Sequence, residues 1–494
     1  MNPLLDSLRL VAPEELLSVA GLLLLLVAGW SGDKAARTVS VASVAVLVGA
    51  AFLVAPALCA GASGAGTQAF SGQYRADAFA SFAKLLIYGS AAVTLIVAPV
   101  FLDRLRAMRA EFPILVLFGA MGMGLMVSAT DLITLYIGLE LNSLASYVLA
   151  AFLRSDERSG EAGLKYFVLG SLASGILLFG MSLVYGFTGT TGFAGIRAAL
   201  DGGLATGAVF GITFVLAGLA FKIAAVPFHM WTPDVYEGSP TPVTAFFSTA
   251  PKVAGLALTM RVALDAFGTQ AGAWQQIVIF ASLASIIVGA LGAIGQFNIK
   301  RLLAYSSINN VGFLLIGLAT GTREGASAML VYLAIYVAMN VAAFLVVLML
   351  RDVEGKPVED IADLAGLSRV RPALAWALAA AMFSLAGIPP LFGFWGKFVV
   401  FRAAVDAGMV PLAAIGIAAS VIGAFYYIKI VKIAFFDEPS GRIPADGEFA
   451  HDSDWAHKAL LLLSSVAISP LGYLLTRWLG GLADSAATAL LHVV

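Results

Sequence analysis

Apolar residues occur along this chain in long runs that are separated by short polar connections. A helix needs about 20 mostly apolar residues to cross the hydrocarbon core of a bilayer. Fourteen runs approach or exceed this length, at 12–30, 37–59, 77–101, 112–128, 131–153, 162–188, 206–230, 241–267, 274–297, 301–320, 326–350, 372–402, 409–435 and 456–481. The pattern predicts an all-α membrane protein with fourteen transmembrane helices.

The composition excludes several classes of protein. Hydrophobic residues make up 60% of the 494 positions and charged residues only 12%, whereas soluble proteins are about 25% charged, so a soluble enzyme is excluded. The net charge of -1 argues against a nucleic-acid partner. The single cysteine, Cys59, cannot supply a disulfide framework, an iron–sulfur cluster or a thiolate zinc site. His451, His457 and His492 are too scattered to be metal ligands, so we expect no metal site.

The first apolar run has the length of a signal peptide, but the acidic residues Asp6, Glu14 and Glu15 stand where a basic cluster would be needed. We expect this run to be retained as a helix.

Basic residues predict how the chain is oriented, because connections rich in Lys and Arg stay in the cytoplasm. One side of the membrane would hold sixteen of them: Lys34, Arg37, Arg104, Arg106, Arg109, Arg154, Arg158, Lys300, Arg301, Arg351, Lys356, Arg369, Arg371, Lys432, Arg442 and Lys458. The other side would hold seven: Arg9, Arg75, Arg197, Arg261, Arg323, Arg402 and Arg477. This asymmetry predicts that both termini lie outside the cytoplasm.

Six lysines remain inside the apolar runs: Lys84, Lys165, Lys222, Lys252, Lys397 and Lys429. A charge at the bilayer centre costs about 2.5–3.5 kcal/mol, so deep lysines mark candidate functional positions. Lys84 and Lys429 lie about two turns from a helix end, where a lysine can extend its ammonium to the headgroups. We expect both of these to be interfacial.

Two of the runs are interrupted by proline close to a lysine. Lys222 lies five residues before Pro227 in VLAGLAFKIAAVPFHMW. Lys397 follows Pro389 and Pro390 in SLAGIPPLFGFWGKF. Proline removes a backbone donor and breaks a helix, and broken backbone at membrane depth is tolerated only where it lines a protein-enclosed or watery cavity. A lysine beside such a break is a candidate proton site.

More charged residues lie in the neighbouring runs. Lys252 follows Pro251 in the eighth run, and Glu140 occupies the middle of the fifth. Lys165, in the sixth run, either pairs with Glu140 or lies at the cytoplasmic helix end. A buried lysine whose counter-charge comes and goes can bind and release a proton. We therefore predict a row of proton sites that consists of Glu140, Lys165, Lys222, Lys252 and Lys397, with Glu140 as the partner of Lys165.

The two broken runs indicate an internal repeat. AAVPFHMW at 224–231 is faintly echoed by AGIPPLFGFW at 386–395, and the breaks fall five helices apart. Because five is odd, the two units would be inverted, as in transporters that alternate access around a midplane site. We predict two five-helix repeats, helices 4–8 and 9–13, with broken helices 7 and 12. The predicted parts of the chain are a three-helix segment at 1–105, a first repeat at 110–268, a second at 272–436 and a final transmembrane helix at 455–482.

Three stretches carry a resemblance to a known family. They are HMWTPDVYEGSPTPVTAFFSTAPK at 229–252, LLAYSSINNVGFLLIG at 302–317 and GIPPLFGFWGKF at 387–398. Over nearly its whole length the chain resembles the antiporter-like membrane subunits of respiratory complex I, the proton-pumping NADH:quinone oxidoreductase. The TPDVYEGSPTPV stretch is similar to that of subunit N, the bacterial counterpart of mitochondrial subunit 2. Lys397 agrees with subunits N or L, because subunit M has a glutamate there. The chain stops about a dozen residues after its last run, unlike subunit L with its long lateral helix.

The resemblance implies a fourteen-helix proton-translocating subunit in the bacterial inner membrane. The count of basic residues then predicts both termini in the periplasm. The resemblance implies no redox chemistry in this chain, since FMN, iron–sulfur clusters and quinone belong to other subunits, and it implies membrane-arm and hydrophilic subunits as partners. The family's proton-translocating residues match Glu140, Lys165, Lys222, Lys252 and Lys397. We expect His229 either to relay protons or to hydrogen-bond the broken backbone, and Asp234 and Glu237 to brace the next turn. The alternatives are an Mrp-type cation/proton antiporter subunit, which shares the fold, and a scaffolding membrane subunit.

Overall fold

The computed structural model describes residues 3–59, 66–203, 205–444 and 455–491. His451 and His492 lie outside these ranges. Within them the chain forms 21 α-helices and one antiparallel hairpin of strands β1 (Thr67–Ala69) and β2 (Tyr74–Ala76). The helices are α1 (Pro3–Leu10), α2 (Ala12–Ser31), α3 (Ala36–Cys59), α4 (Ala78–Arg104), α5 (Glu111–Ser128), α6 (Leu132–Ala150), α7 (Glu157–Thr188), α8 (Phe193–Asp201), α9 (Thr206–Ile223), α10 (Trp231–Gly238), α11 (Thr241–Phe247), α12 (Ala250–Arg261), α13 (Ala271–Ile294), α14 (Ile299–Ala319), α15 (Arg323–Met349), α16 (Leu367–Val370), α17 (Pro372–Ala386), α18 (Phe392–Asp406), α19 (Val410–Phe436), α20 (Trp455–Ile468) and α21 (Thr476–Leu491).

Long apolar helices dominate the described part of the chain. Eleven helical stretches there are long and apolar enough to cross a membrane, or twelve if α20 and α21, bent by 69°, form one span. The predicted all-α membrane architecture is confirmed, while the count of fourteen spans stays a prediction. Two features lower the structural count. By length α2 and α3 form one stretch of 47 residues, although they pack against each other across a tight turn at Gly32–Ala35, and α17 alone is shorter than a span.

The helices of the described part differ in how much of their surface the protein buries. The most buried spans are those of α14, α15 and the α11–α12 pair, whereas α2, α3, α7 and α19 leave much of their apolar surface exposed. Exposed apolar faces suit contact with lipid. The polar side chains of the inner helices are therefore enclosed by protein.

Two helices are interrupted near the prolines named above. Between α9 and α10 the chain turns at Ala224, which has a left-handed φ of 60°. Between α17 and α18 it turns at Gly387, with φ of 82°. A left-handed residue commonly ends a helix. Each break contains one cis peptide bond, before Pro227 and before Pro390. Both breaks leave carbonyl groups at the end of a half-helix, where side chains can bind them.

The apolar pattern does not predict a third interruption, which lies in the eighth run. There α11 and α12 are separated at Ser248 and Thr249. Pro251 in the first turn of α12 has no amide hydrogen for the preceding turn, which explains the new start. The run then ends in one π-helical turn at Val262–Ala266. Lys252 therefore lies in the first turn of a short helix and not in the middle of a long one.

Glycines let α7 and α9 approach closely. A Cβ atom at Gly218 of α9 would lie 2.6 Å from Cβ of Leu177, and one at Gly180 of α7 would lie 2.6 Å from the amide nitrogen of Val215. Small residues commonly permit such contacts between helices in lipid. This packing places Ser174 of α7 beside the end of α9.

Buried ion pairs join the hairpin to the π-helical turn after α12, and join the start of α4 to the end of α12. Arg75 of β2 lies 2.9 Å from Asp265, and Arg261 lies 2.9 Å from Asp77. All four side chains are buried. Arg75 and Arg261, counted above with the connections of one side of the membrane, thus each bind a carboxylate inside the protein, and the side on which they lie stays a prediction.

Lys84 is also buried, and the expectation that it reaches the headgroups is wrong. Its Nζ lies 2.6 Å from Glu14 of α2 and donates to the Tyr74 hydroxyl at 2.6 Å. Tyr74 in turn donates to the second oxygen of Glu14 at 2.9 Å. The partner is remote in sequence, so the position of Lys84 within its own helix does not reveal the pair. Lys429 is partly buried, and its interfacial placement stays a prediction.

Candidate proton-translocation site

Lys222 lies near the end of α9, where three helices meet. Its Nζ donates to Ser143 Oγ of α6 at 2.8 Å and to Ser174 Oγ of α7 at 3.1 Å. The ring of Tyr147 lies 6.0 Å away. Two hydroxyl groups solvate the ammonium but do not neutralise it, so a charged Lys222 needs a counter-charge nearby.

Glu140 supplies that negative charge. It lies on α6 one turn before Ser143, which binds the Lys222 ammonium, so an ionised carboxylate at this position would stabilise that ammonium. Its Oε1 is buried and has no hydrogen-bond partner among the described residues. Because an unpaired buried carboxylate oxygen is costly, this position suits a group that changes its charge or its partner.

Lys165 binds carboxylates other than the predicted one. Its Nζ lies 2.6 Å from Glu161 and 2.7 Å from Asp234. The expected pair of Glu140 and Lys165 is therefore not formed. Beyond the break, α10 carries Asp234 to α7, a contact that the order of residues does not reveal. The Lys165 side chain is 42% exposed, which fits the alternative of a lysine at a helix end.

Lys252 and Lys397 each bind the carbonyl end of a broken helix. Nζ of Lys252 donates to the carbonyl of Ile223, the last residue of α9, at 2.8 Å. Nζ of Lys397 donates to the carbonyl of Ala386, the last residue of α17, at 2.9 Å. Both lysines are buried. Because a helix carries partial negative charge at its carbonyl end, each ammonium is stabilised without a carboxylate. Loss of the proton therefore leaves no full negative charge behind.

Aromatic rings complete the surroundings of these two lysines. The ring of Trp231 lies 5.9 Å from Nζ of Lys252, and that of Phe313 lies 4.5 Å from Nζ of Lys397. A cation is attracted to the face of an aromatic ring.

A cluster of neutral polar side chains lies near Lys397. We call it the hydroxyl–amide cluster; it consists of Ser306, Ser307, Asn310, Tyr332, Tyr336 and Tyr427, all buried. Tyr332 donates to the Asn310 side chain at 2.6 Å, and Tyr427 lies 2.5 Å from Ser306. A Cβ atom at Gly396 would lie 2.3 Å from the Tyr332 ring, so the cluster reaches the residue before Lys397. Sequence reasoning missed this cluster, although SSINN within an apolar run is a signal for it.

Ion pairs connect α10 to α14. Arg301 of α14 lies 2.6 Å from Asp234 and 3.0 Å from Glu237. Both carboxylates lie within α10 and bind α14, so their expected role in bracing the next turn stays a prediction. His229 is partly buried, and its Nδ1 has no hydrogen-bond partner among the described residues. Its role as a relay stays a prediction.

A second network surrounds Glu359, which lies in the connection after α15. Glu359 binds Lys300 and Arg158, each at 2.7 Å. Burial raises the pKa of the Glu359 carboxyl, but the two cations outweigh this effect and lower the pKa below its usual range. Lys300 is buried, and it also donates to the carbonyl of Ser239 at 2.9 Å. Lys300 lies in the first turn of α14, and its predicted side of the membrane stays a prediction.

Comparisons with known proteins place the chain in a family. Residues 129–423 match the family described as NADH:quinone oxidoreductase/Mrp antiporter, TM. The protein named NADH-quinone oxidoreductase subunit N from Erythrobacter litoralis (strain HTCC2594) is 68% identical over 484 residues, which cover 98% of each chain. The chain belongs to the NADH-quinone oxidoreductase subunit N family. The subunit N of Rhizorhabdus wittichii is 59% identical, over 98% of this chain and 99% of that protein.

Solved structures share the fold of this subunit N family member. A chain in respiratory complex I from Thermus thermophilus with bound aureothin has a TM-score of 0.80 and 33% identity, over 96% of this chain and 99% of that one. A chain of the Mrp complex from Dietzia sp. DQ12-45-1b has a TM-score of 0.81 and 24% identity, over 100% and 98% of the two chains. The second likeness concerns the fold alone. Sequence identity, and not the fold, therefore separates the subunit N family from its Mrp relatives.

Proposed function

We propose that this chain is a proton-translocating membrane subunit of an NADH:quinone oxidoreductase, driven by redox reactions in other subunits. Relatives with that oxidoreductase name match it over nearly their whole lengths. The observation that carries the proposal is that two buried lysines, Lys252 and Lys397, each bind the carbonyl end of an interrupted helix. FMN, iron–sulfur clusters and quinone would belong to the hydrophilic and membrane-arm subunits that are its partners.

The charged residues suggest the order in which a proton moves. An ionised Glu140 stabilises a protonated Lys222. When Glu140 is neutralised, the Lys222 ammonium loses this stabilisation, which favours transfer of its proton onward. Lys252 would accept it next, because its ammonium is stabilised by the carbonyl end of α9. The hydroxyl–amide cluster then leads to Lys397. Lys165 would act on Glu140 only after it leaves Asp234, so we assign it a controlling role.

The membrane arrangement is part of the same proposal. Fourteen spans would form the three-helix segment, two inverted repeats of helices 4–8 and 9–13, and the final helix. The two interruptions, after α9 and after α17, each follow a left-handed residue and fall five predicted helices apart, which supports this symmetry. The excess of basic residues in one set of connections supports a bacterial inner-membrane protein with periplasmic termini.

Substitution of Lys222 by alanine in the assembled complex tests the proposal. We expect fewer protons pumped per NADH oxidised and, where coupling is tight, slower oxidation, because the variant lacks the group that stores the proton. The matched control is Lys429→Ala, which removes a lysine from α19 that lies outside the proposed row. Normal proton-to-electron ratios in assembled Lys222→Ala complex would contradict the proposal.

An Mrp-type antiporter function has less support, because the Mrp chain is far less similar in sequence than the subunit N relatives. Co-purification separates the two functions. Flavin-containing and iron–sulfur subunits should copurify with this chain if it belongs to the oxidoreductase. Their absence from an intact, active preparation would favour the antiporter.

A further inference from the structure

Each of the two interrupted helices has an amide group that a serine side chain binds. The amide of Val226, in the segment between α9 and α10, donates to Ser285 Oγ of α13 at 2.9 Å. The amide of Gly393, in the first turn of α18, donates to Ser384 Oγ of α17 at 3.1 Å. Both serines are fully buried. The two breaks therefore share a kind of contact that the proposed row of proton sites does not use.

The breaks themselves create the need for these acceptors. An interrupted helix leaves amide groups as well as carbonyl groups without partners in the helix. Val226 and Gly393 are both buried, so water has little access to their amides. A buried amide almost always has a hydrogen-bond partner. In each break a serine hydroxyl supplies it.

In the second break, the serine and the lysine join the same two half-helices. Ser384 lies two residues before Ala386, whose carbonyl accepts from Lys397. Gly393 lies one turn before Lys397 on α18. The amide–hydroxyl contact and the lysine–carbonyl contact thus tie α17 to α18 at two neighbouring points. If the lysine tie weakens, the serine tie still keeps the carbonyl close to the lysine.

In the first break, the serine and the lysine bind the broken segment from different helices. Ile223 ends α9, and its carbonyl accepts from Lys252 of α12. Val226 follows three residues later and is bound by Ser285 of α13, a helix that packs against α9. The position of the Ile223 carbonyl therefore depends on contacts with two neighbouring helices.

Only one of the two contacts at each break depends on charge. A hydrogen bond from a charged donor is roughly twice as strong as one between neutral groups. A lysine that has given up its proton therefore holds its carbonyl less firmly. The serine hydroxyl stays uncharged, so its contact has the same strength whether the lysine is protonated or not.

We propose that Ser285 and Ser384 are positioning residues, which hold each break in place while the neighbouring lysine is unprotonated. The proposal rests on the proposed function and adds two residues to it. With the break held, the carbonyl of Ile223 or Ala386 stays beside its lysine and stabilises the ammonium when the next proton arrives. Neither serine takes up or releases that proton itself.

Alanine variants in the assembled complex test this role. Ser285→Ala and Ser384→Ala each remove the acceptor and leave a buried amide without its partner. We expect each to slow proton pumping by about tenfold and to lower the number of protons pumped per NADH oxidised, because the broken segment leaves its position and the lysine is reloaded more slowly. Ser285→Thr and Ser384→Thr keep the hydroxyl and should restore most of the rate.

Two other buried serines provide matched controls. Ser282 lies one turn before Ser285 on α13, but its hydroxyl donates to the carbonyl of Gly312 at 2.7 Å. That carbonyl lies inside α14 and keeps its helix partner when the serine is removed. Ser464, the control for Ser384, donates to the Leu461 carbonyl of its own helix at 3.1 Å. Ser282→Ala and Ser464→Ala should pump at nearly the wild-type rate.

Hydrogen–deuterium exchange in the assembled complex tests the contacts directly. A peptide that covers 224–231 should exchange several-fold faster in Ser285→Ala than in wild type, because a segment that is no longer held opens more often. A peptide that covers 387–398 should respond in the same way to Ser384→Ala. Ser282→Ala should leave exchange at 224–231 unchanged. Where an alanine variant fails to assemble, the cysteine variant takes its place, since its sulfur accepts hydrogen bonds only weakly.

The outcomes separate the positioning role from the proposed function. Normal pumping in both serine variants, with Lys222→Ala impaired, would overturn the positioning role and leave the proton-translocating function standing. If Lys222→Ala also pumps normally, the function itself is wrong. Equally slow pumping in Ser282→Ala and Ser464→Ala would show that any buried serine matters, and this too would overturn the positioning role. Assembled threonine variants that stay as slow as the alanine variants would also count against it.

Discussion

Replacement of Lys84 distinguishes the buried lysine seen in the structure from the interfacial lysine expected from the sequence, because the two predict different effects on stability. A lysine that only reached the headgroups could become alanine or methionine at little cost. In the structure, Lys84 is 3% exposed and lies 2.6 Å from Glu14, which is equally buried. The pair joins α2 to α4 inside the protein. We therefore expect Lys84→Met to destabilise the N-terminal helices.

The expected cost follows from what remains after the substitution. Removal of one partner from a buried ion pair costs about 3–5 kcal/mol, because the other charge stays buried. Glu14 would still accept a hydrogen bond from Tyr74, at 2.9 Å, so we expect a value near 3 kcal/mol. Methionine retains most of the side-chain volume, which keeps the loss of packing small. The double variant Glu14→Leu/Lys84→Met removes both charges and should approach wild-type stability.

Heat inactivation of NADH oxidation in the purified complex is the assay, combined with the amount of this chain that stays bound. Lys84→Met should lose activity and chain at a lower temperature than wild type, and the double variant should recover most of the difference. Lys429→Met, which removes a lysine from α19, controls for the loss of a cation. If Lys84→Met, the double variant and wild type inactivate at the same temperature, the ion pair does not stabilise this region and the reasoning is wrong.

Three further substitutions test the packing and charges around the site. Gly170→Ala would place a Cβ atom 2.2 Å from the Tyr147 hydroxyl, so we expect a lower proton-to-electron ratio in a normally assembled complex, and an unchanged ratio would contradict this. Gly393→Ala would place a Cβ atom 2.0 Å from the backbone carbonyl of Ser384; we expect little assembled chain on immunoblots, and normal amounts would argue against the tight contact. Glu359→Gln should lower the inactivation temperature at neutral pH. Because the pKa of Glu359 is lowered in the folded protein, its stabilising contribution is lost as the pH falls through that pKa. The inactivation temperatures of wild type and Glu359→Gln should therefore converge in acid. A difference that stays constant with pH would refute the ion-pair explanation.

The sequence predicts the helices and the two principal breaks because the physical causes are local. Apolar length decides the spans, and proline removes donors at fixed positions. The position of Lys252 also has a local cause, since Pro251 starts a new helix. The apolar run continues through this break, so the hydropathy pattern does not reveal it. The deep lysines are recognisable for the same reason: a charge in an apolar run is visible in the sequence itself.

The partners of these charges could not be predicted, because they depend on how helices meet. Lys165 binds Asp234 because α10, which follows the break, packs against α7. Lys84 of α4 binds Glu14 of α2. Lys300 of α14 binds Glu359, which lies in the connection after α15. The sequence places these lysines only by their distance to the end of their own helix. That distance contains no information about the neighbouring helices, which supply the partners.

The division between charged and neutral polar groups has a mechanistic consequence. Lys222 binds Ser143, one turn from the carboxylate of Glu140, whereas Lys252 and Lys397 bind only helix carbonyls. Near Lys397 the polar groups of the hydroxyl–amide cluster stay neutral in normal conditions. In the proposed row a proton would therefore rest on a lysine and only pass through the cluster. Because a partial charge at a helix end is fixed, the variable element is the charge of Glu140, and control of translocation should act at that end of the row.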